Sequence, residues 1–450
     1  MNPEIFREYD IRGIAGKDIA VEEVELLGRG IGTFLIRNGC RKLAVGRDCR
    51  VTSDDFAGAM IEGLISTGCQ VTDIGVCPTP VLYFSIQNLN QEGGIMVTAS
   101  HNPKEYNGFK ICMGSDSVHG KDLQAIREII AAGQFIQGEG TCAAAHHVIP
   151  QYQRFVEDNI ILSRPLRVGV DAGNGTAGVV AVPILKNLNC EVHELYCEMD
   201  GNFPNHEADP TVLGNMKDLI ALVREQELDV GIGYDGDGDR IGVVDEKGNI
   251  VYGDKLMVLF AREILSRRPG AVFISEVKCS KVMYDDIERR GGRAVMWKTG
   301  HSLIKAKMKE ERAALAGEMS GHMFFEDRYL GFDDAVYASC RLLEILSATG
   351  RRISDLLSDL PHTFTTPEIR VDCPDDRKFR LVEKVTRYFK ARYDVIDIDG
   401  ARILFDDGWG LVRASNTQPA IVLRFEAMSQ ARLEEIRSLV ESGIKEMDRF

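Results

Sequence analysis

From Lys42 onward, short apolar runs with strand character alternate with longer stretches of helical spacing. Residues 43–45 read as a strand, 54–67 as a helix, 71–75 as a second strand, a helix follows Pro80, and 95–98 form a third strand. The polar run ASHNPKEYNG comes next, with Asn102-Pro103 and Asn107-Gly108 as turn punctuation. From Arg167 the order recurs: VGVDA, a helix after Gly175, EVHELY, a helix over 215–227, DVGIGY, then the loop DGDGDR. From Ala271 it recurs again: VFISEV, a helix over 280–290, RAVMWK, a helix over 302–312, ALAGE, then MSGH. Such alternation predicts parallel sheets covered on both faces, with ligand loops beyond the carboxyl ends of the strands. After about Pro361 two helices flank ARILFDDGWGLVRAS and AIVLRFEAMS, and Asp407-Gly408 supplies a hairpin turn. The expected fold is α/β: three similar mixed α/β domains, 1–147, 148–249 and 250–362, then a smaller C-terminal α+β domain, 363–450.

The length of 450 residues agrees with three or four domains at about 150 residues each. Lys plus Arg total 54 against 68 Asp plus Glu, a formal charge of -14, which argues against a sequence-independent nucleic-acid binder or a polybasic membrane-surface protein. Any anionic ligand must be held by a local cluster of cations. The N-terminal MNPEIFREYDIRG has no apolar leader region and no apolar stretch reaches the length of a membrane span, so a cytoplasmic protein is expected. The 11 cysteines are an odd set without CxxC spacing and read as reduced, mostly buried thiols with no catalytic role.

Asp235, Asp237 and Asp239 alternate with Gly236 and Gly238, a flexible backbone on which three carboxylates can converge on one hard cation. Magnesium is the natural occupant. A calcium-binding EF-hand loop opens in the same way, but Arg240 stands where that loop requires Gly. A Gly/Asp-rich surface turn is the bland alternative, and three evenly spaced acids beside an Arg weigh against it. Ser100 lies just past an apolar strand with His101, Lys104 and Lys110 nearby, a placement suited to a nucleophile, although it lacks the G-x-S-x-G elbow of hydrolases and SHNP alone also fits a plain turn. GEMSGH at 317–322 offers a carboxylate, a hydroxyl and an imidazole for hydrogen bonding to a polyol. RASNTQP at 413–419 sets a guanidinium beside Ser, Asn and Thr between two strands, a cradle fit for phosphate that an ordinary turn would also favour. YDIRG adds Tyr9 and Arg12 as further phosphate contacts.

In order, and over nearly the whole chain, these segments closely resemble the α-D-phosphohexomutase superfamily, in particular its phosphomannomutase/phosphoglucomutase branch. The resemblance implies four domains around a central cleft and a phosphoryl group moved between O1 and O6 of a hexose through a 1,6-bisphosphate. It makes Ser100 the phosphorylated residue, with Mg2+ bridging its phosphate and Asp235, Asp237 and Asp239. Glu318 and Ser320 become the sugar readers, and Arg413, Ser415, Asn416 and Thr417 the phosphate grip, with Tyr9, Arg12, Lys278, His301 and His322 as further binding partners. Lys110 and His101 are the candidates for proton transfer near Ser100, His322 lies opposite, and Arg240 adds charge stabilisation. Arg12, Lys110, Arg240, Lys278 and Arg413 would concentrate positive charge against the acidic background. Hexose 1,6-bisphosphate is the expected activator and a phosphosugar the substrate, with no nucleic-acid or membrane partner and the oligomeric state left open. Met319 and Asn416 depart from the Gln and Gly expected of a phosphoglucosamine mutase, the nearest competitor. A metal-dependent sugar phosphatase and a non-catalytic sugar-phosphate sensor are the rivals from other classes.

Overall fold

A computed structural model of the chain describes residues 1–416 and 418–448; Thr417, placed in the phosphate grip by the sequence, lies outside the described residues. In the first unit, β1 (Ile11–Ile14), β2 (Lys42–Arg47), β3 (Gln70–Val76), β4 (Gly93–Val97), β5 (Tyr106–Met113), β6 (Asp116–Ser117) and β7 (Thr141–Ala144) form one sheet in the order β1-β5-β4-β2-β3-β7, with β6 beside β5. The second sheet joins β8 (Arg167–Asp171), β9 (Glu191–Leu195), β10 (Val230–Tyr234), β11 (Ile241–Asp245) and β12 (Ile250–Val251) in the order β12-β11-β10-β8-β9. The third joins β13 (Val272–Glu276), β14 (Arg293–Trp297), β15 (Leu315–Gly317) and β16 (Met323–Phe325) in the order β14-β13-β15-β16. The fourth is antiparallel, with β17 (Phe364–Thr365), β18 (Ile369–Asp372), β19 (Val395–Ile396), β20 (Ala401–Phe405), β21 (Gly408–Ala414) and β22 (Ala420–Ala427) in the order β17-β22-β21-β20-β19 and β18 beside β22.

The first three units share one plan. A parallel trio sets its first strand between the second and third, and an antiparallel strand returns beside the third: β3-β2-β4-β5, β9-β8-β10-β11 and β14-β13-β15-β16. The wholly parallel sheets expected from the alternation are therefore mixed. The reason is length: a parallel return needs a crossover of about a dozen residues or more, and the connections at 98–105, 235–240 and 318–322 are too short for anything but an antiparallel neighbour. Asn107-Gly108, read from sequence as a turn, lies inside β5. A Cβ on Gly108 would stand 2.2 Å from the Ile11 carbonyl oxygen, so the glycine serves close strand approach rather than chain reversal. Three elements precede the first one read from sequence, a 3-10 turn at Pro3–Ile5, β1 and the helix Val21–Arg37, whose Val24, Leu27, Ile31, Phe34 and Leu35 form one buried face.

One apolar core runs through the first three units, joining Val81 and Phe84 to Val180, Ile232, Phe260 and Phe332, and the first unit has another of its own around Leu27, Phe56, Phe109 and Ile111. The fourth unit has its own core around Val385, Phe389, Ile403 and Phe425 and meets the third through the small patch of Val277, Trp409 and Leu411. Polar contacts therefore carry much of its placement. All 11 cysteines are free thiols, seven of them buried. Among the described residues no helix is long and apolar enough to cross a membrane.

Candidate active site

β4 ends at the loop that carries Ser100. This serine has a left-handed backbone, φ +53°, a conformation that costs a side-chain-bearing residue about 1 kcal/mol and persists only where neighbours enforce it. Arg50, buried to 3% exposure, does the enforcing. Its Nη2 donates to the carbonyls of Ser100 (2.8 Å) and Asn102 (2.7 Å), and its Nη1 to those of Pro103 (2.7 Å) and Tyr106 (3.1 Å). Its Nε is anchored on Asp48 at 3.0 Å. Thr98 Oγ1 accepts the Ser100 N–H at 2.8 Å.

Ser100 Oγ donates to Asp235 Oδ2 at 2.8 Å and lies 3.0 Å from His101 Nδ1. The other Asp235 oxygen accepts the N–H groups of Asp239 and Arg240, each at 3.0 Å, which winds loop 235–240 back on itself. A Cβ on Gly236 would stand 2.5 Å from the Ser100 carbonyl, so the two loops meet backbone to backbone. Asp237 Oδ2 accepts from Thr79 Oγ1 and Lys110 Nζ, both at 2.6 Å, and the same ammonium reaches Asp239 Oδ2 at 2.5 Å. Asp237 Oδ1 and Asp239 Oδ1 are buried and unbonded among the described residues. The three acids each offer one oxygen within 4.8 Å of the others. Buried anionic oxygens, two of them without a donor, suit a hard divalent cation, and this triad can hold a metal ion.

Electrostatics separate the members of this cluster. Burial, followed by the charges of Asp239 and Asp237, pushes the Asp235 carboxyl well up. Burial acts the same way on Asp237, but Lys110 and Thr79 outweigh it and hold that carboxyl below the usual range. For Lys110 burial favours the neutral amine, and the charges of Asp237 and Asp239 override it, raising the ammonium above its ordinary value. A lysine serves as a base only when its pKa is lowered, and the two paired carboxylates act on Lys110 in the opposite sense. Burial, with Arg240 and Arg12 nearby, keeps the His101 imidazole well below its ordinary pKa and therefore neutral.

The second and third loops meet at Arg240 and His322, which form an isolated antiparallel bridge, and the Arg240 Nε donates to His322 Nε2 at 3.0 Å. His322 and His301 stack with centroids 5.6 Å apart, and Tyr9 meets His301 edge-on at 6.1 Å. Glu318, 3% exposed, accepts the Gly300 N–H at 2.7 Å, and Ser320 Oγ lies 3.5 Å from its second oxygen. Tyr9 crosses from the first unit to the third and the fourth: its hydroxyl donates to the Thr299 carbonyl at 2.9 Å and accepts from Asn416 Nδ2 at 2.6 Å. Burial raises its pKa and keeps the phenol protonated.

The expected cations are present, but acids already accompany most of them. Arg12 pairs with Asp10 (2.5 Å) and donates to Asn102, Lys278 pairs with Glu368 (3.1 Å), and Arg413 pairs with Asp399 (2.9 Å). Ser415 Oγ accepts the Gln418 N–H at 3.1 Å, closing the turn after β21. These pairs aim the cations rather than leave a bare positive patch. The described members of the predicted set thus link loop to loop, from Ser100 through Asp235 and Arg240 to His322, His301, Tyr9 and Asn416.

Four models of the phosphoglucomutase/phosphomannomutase family match the chain in succession: alpha/beta/alpha domain I over residues 3–137, domain II over 150–248, domain III over 252–364 and the C-terminal domain over 368–442. A phosphomannomutase/phosphoglucomutase of Pseudomonas aeruginosa is 46% identical over 445 residues, covering 99% of this chain and 96% of the relative. The chain belongs to the phosphoglucomutase/phosphomannomutase family. A phosphoglucomutase of Neisseria gonorrhoeae is 41% identical over 98% of this chain and 97% of its own length. The crystal structure of a phosphoglucomutase/phosphomannomutase family protein from Burkholderia thailandensis superposes with a TM-score of 0.93 at 40% identity, covering 100% of this chain and 98% of that one. Within this family member, sequence reasoning missed Arg50, Lys305, Asp333 and Asp399. Asp333-Asp334 carries a faint signal as an acidic pair before an apolar helix, but that pattern reads first as a helix cap.

Proposed function

We propose that this protein is a phosphohexomutase, an isomerase that interconverts the 1-phosphates and 6-phosphates of mannose and glucose. The observation that carries the reading is the 2.8 Å hydrogen bond from Ser100 Oγ to Asp235, which ties a nucleophile on a strained backbone to a buried triad of acids. The reaction starts from phospho-Ser100. A substrate hydroxyl forms a new P–O bond as the bond to the Ser100 oxygen breaks; the hydroxyl proton passes to His322 Nε2, and the serine oxygen regains a proton from water relayed through the neutral His101 ring, whose Nδ1 lies 3.0 Å away. The hexose 1,6-bisphosphate then turns over and returns its other phosphoryl to Ser100. The same bisphosphate recharges an unphosphorylated serine, which makes it an activator.

Mg2+ held by Asp235, Asp237 and Asp239 would neutralise charge on the transferring phosphoryl group. Lys110 and Arg240 supply fixed positive charge beside it. Lys278, Arg12, Arg413, Ser415, Asn416 and Thr417 would hold the non-reacting phosphate, while Glu318 and Ser320 read O3 and O4, the hydroxyls nearest the axis of exchange. O2 is then left largely unread. We propose domains at 1–147, 148–249, 250–362 and 363–450, with strand pairing carrying the second sheet through Val251. The eleven free thiols suit a reducing cytoplasm.

Coupled assays with mannose 1-phosphate, glucose 1-phosphate and glucosamine 1-phosphate test the reading. The first two should turn over within about two orders of magnitude of each other, since one unread hydroxyl contributes about 1–3 kcal/mol, and the third should do worse. Steady release of inorganic phosphate without isomerisation would make the protein a phosphatase instead. A second test concerns the nucleophile loop. Arg50→Lys replaces a rigid fork of five donors with three on one point, which cannot span four carbonyls. Turnover should fall about a hundredfold and stability by about 2 kcal/mol. Unchanged turnover and melting temperature would show that the loop keeps its shape without the fork.

A further inference from the structure

Asp333 is fully buried, outside the metal triad, and has no part in the mechanism above. Its Oδ2 lies 3.1 Å from His322 Nδ1 and 3.9 Å from His301 Nδ1, and its Oδ1 lies 3.6 Å from Lys305 Nζ. None of these contacts is an aligned hydrogen bond, and all these atoms are buried. A buried carboxylate in such a position is costly, so its retention at the centre of three basic groups calls for a purpose. The backbone places it with care. Phe324 and Asp333 form an isolated bridge, and the neighbouring Asp334 caps helix Ala335–Thr349 through the Tyr337 N–H at 2.8 Å while accepting the Tyr152 hydroxyl at 2.7 Å. Asp333 is thereby fixed across from Phe324, which lies two residues beyond His322.

The other ring nitrogen decides the meaning. Arg240 Nε donates to His322 Nε2 at 3.0 Å, and because a guanidinium has no acceptor, Nε2 must carry the lone pair. The ring proton then resides on Nδ1, facing Asp333 Oδ2 at 3.1 Å and Asp239 Oδ1 at 3.6 Å. The opposite tautomer would set two donors against each other on one side and a lone pair against two carboxylates on the other. We infer that Asp333 is a positioning residue that, together with Arg240, fixes the tautomer and the ring orientation of His322, so that the Nε2 lone pair, bonded to Arg240 in this structure, passes to the substrate hydroxyl when Arg240 turns to the phosphate. This rests on the mutase reading for the identity of the proton donor, but the tautomer itself does not.

Asp333→Asn tests it. The variant is isosteric; the Lys305 ammonium retains the amide oxygen, which leaves the NH2 group facing His322 Nδ1 and drives the ring proton to Nε2 at the expense of the Arg240 hydrogen bond. Imidazole 15N NMR of the full-length protein, with His322 identified by the signals lost in His322→Gln, should show Nδ1 protonated in the wild type and Nε2 protonated in Asp333→Asn. Turnover should fall about a thousandfold in kcat with KM changed less than about threefold. A role confined to balancing Lys305 would lower stability while leaving tautomer and kcat in place. An Nε2-protonated wild type, or an Asp333→Asn variant with kcat within threefold of wild type, overturns the inference. If the variant does not fold, the wild-type tautomer still decides. Absence of any hexose phosphate turnover by the wild type would retire the mutase reading without touching the NMR result.

Discussion

Ser100→Ala should bind glucose 1-phosphate within about threefold of wild type and lose turnover by about four orders of magnitude or more, the signature of a deleted covalent nucleophile. Alanine meets the same left-handed φ of +53° as serine, so the exchange adds no backbone strain. It removes the hydroxyl that donates to Asp235, a loss of about 1 kcal/mol in stability. The groups proposed to grip sugar and phosphate lie on other loops and are untouched. Titration calorimetry and a coupled assay check both halves, and mass spectrometry of the wild type should find phosphate on the peptide containing Ser100. Residual turnover above about one per cent, or an unmodified Ser100 after incubation with glucose 1,6-bisphosphate, would rule out the phosphoserine route.

Asp237→Asn is expected to cost about a thousandfold in turnover at saturating magnesium, because it takes a formal charge from the triad at a carboxylate that Lys110 and Thr79 hold ionised. Stability should tell a different story from activity. Three carboxylates share one ammonium, which pairs with two of them, so removing Asp237 relieves repulsion while Lys110 keeps Asp239 as its partner. Without metal the variant should therefore melt close to wild type. With magnesium, ligand linkage should raise the wild-type melting temperature and raise that of the variant much less. Equal magnesium-dependent shifts in both proteins would remove Asp237 from the metal site.

The parts of this site that were legible in the sequence are those whose chemistry is local. DGDGDR announces its cluster within six residues, and each reactive loop stands out as a polar run after an apolar strand. Lys110 was legible as a charge near the serine, but its confinement between Asp237 and Asp239 was not, because the pairing joins β5 to a loop of another unit. Arg50, Asp333 and Asp399 escaped for the same reason. Along the chain they pass for a surface charge, a helix cap and a turn residue, and only the folded arrangement gives them loop carbonyls, an imidazole and Arg413 as partners. The antiparallel returns were hidden because β5 opens with polar Tyr106-Asn107-Gly108, which reads as a turn until Ile11 is seen across from Phe109.

Those returns place an unusual limit on how the loops can change. Met96 lies opposite Lys110 in the β4-β5 pair, and neighbours along β5 face opposite ways, Phe109 and Ile111 into the core of the first unit and Lys110 toward the acids. A residue inserted or deleted between 98 and 105, if absorbed by sliding β5, would swap those two faces, carrying phenylalanine and isoleucine to the carboxylates and the ammonium into the core. Surface loops ordinarily accept such length changes; here a change is tolerable only if the loop itself takes it up and leaves the register of β5, and with it the side on which Lys110 emerges, where it is.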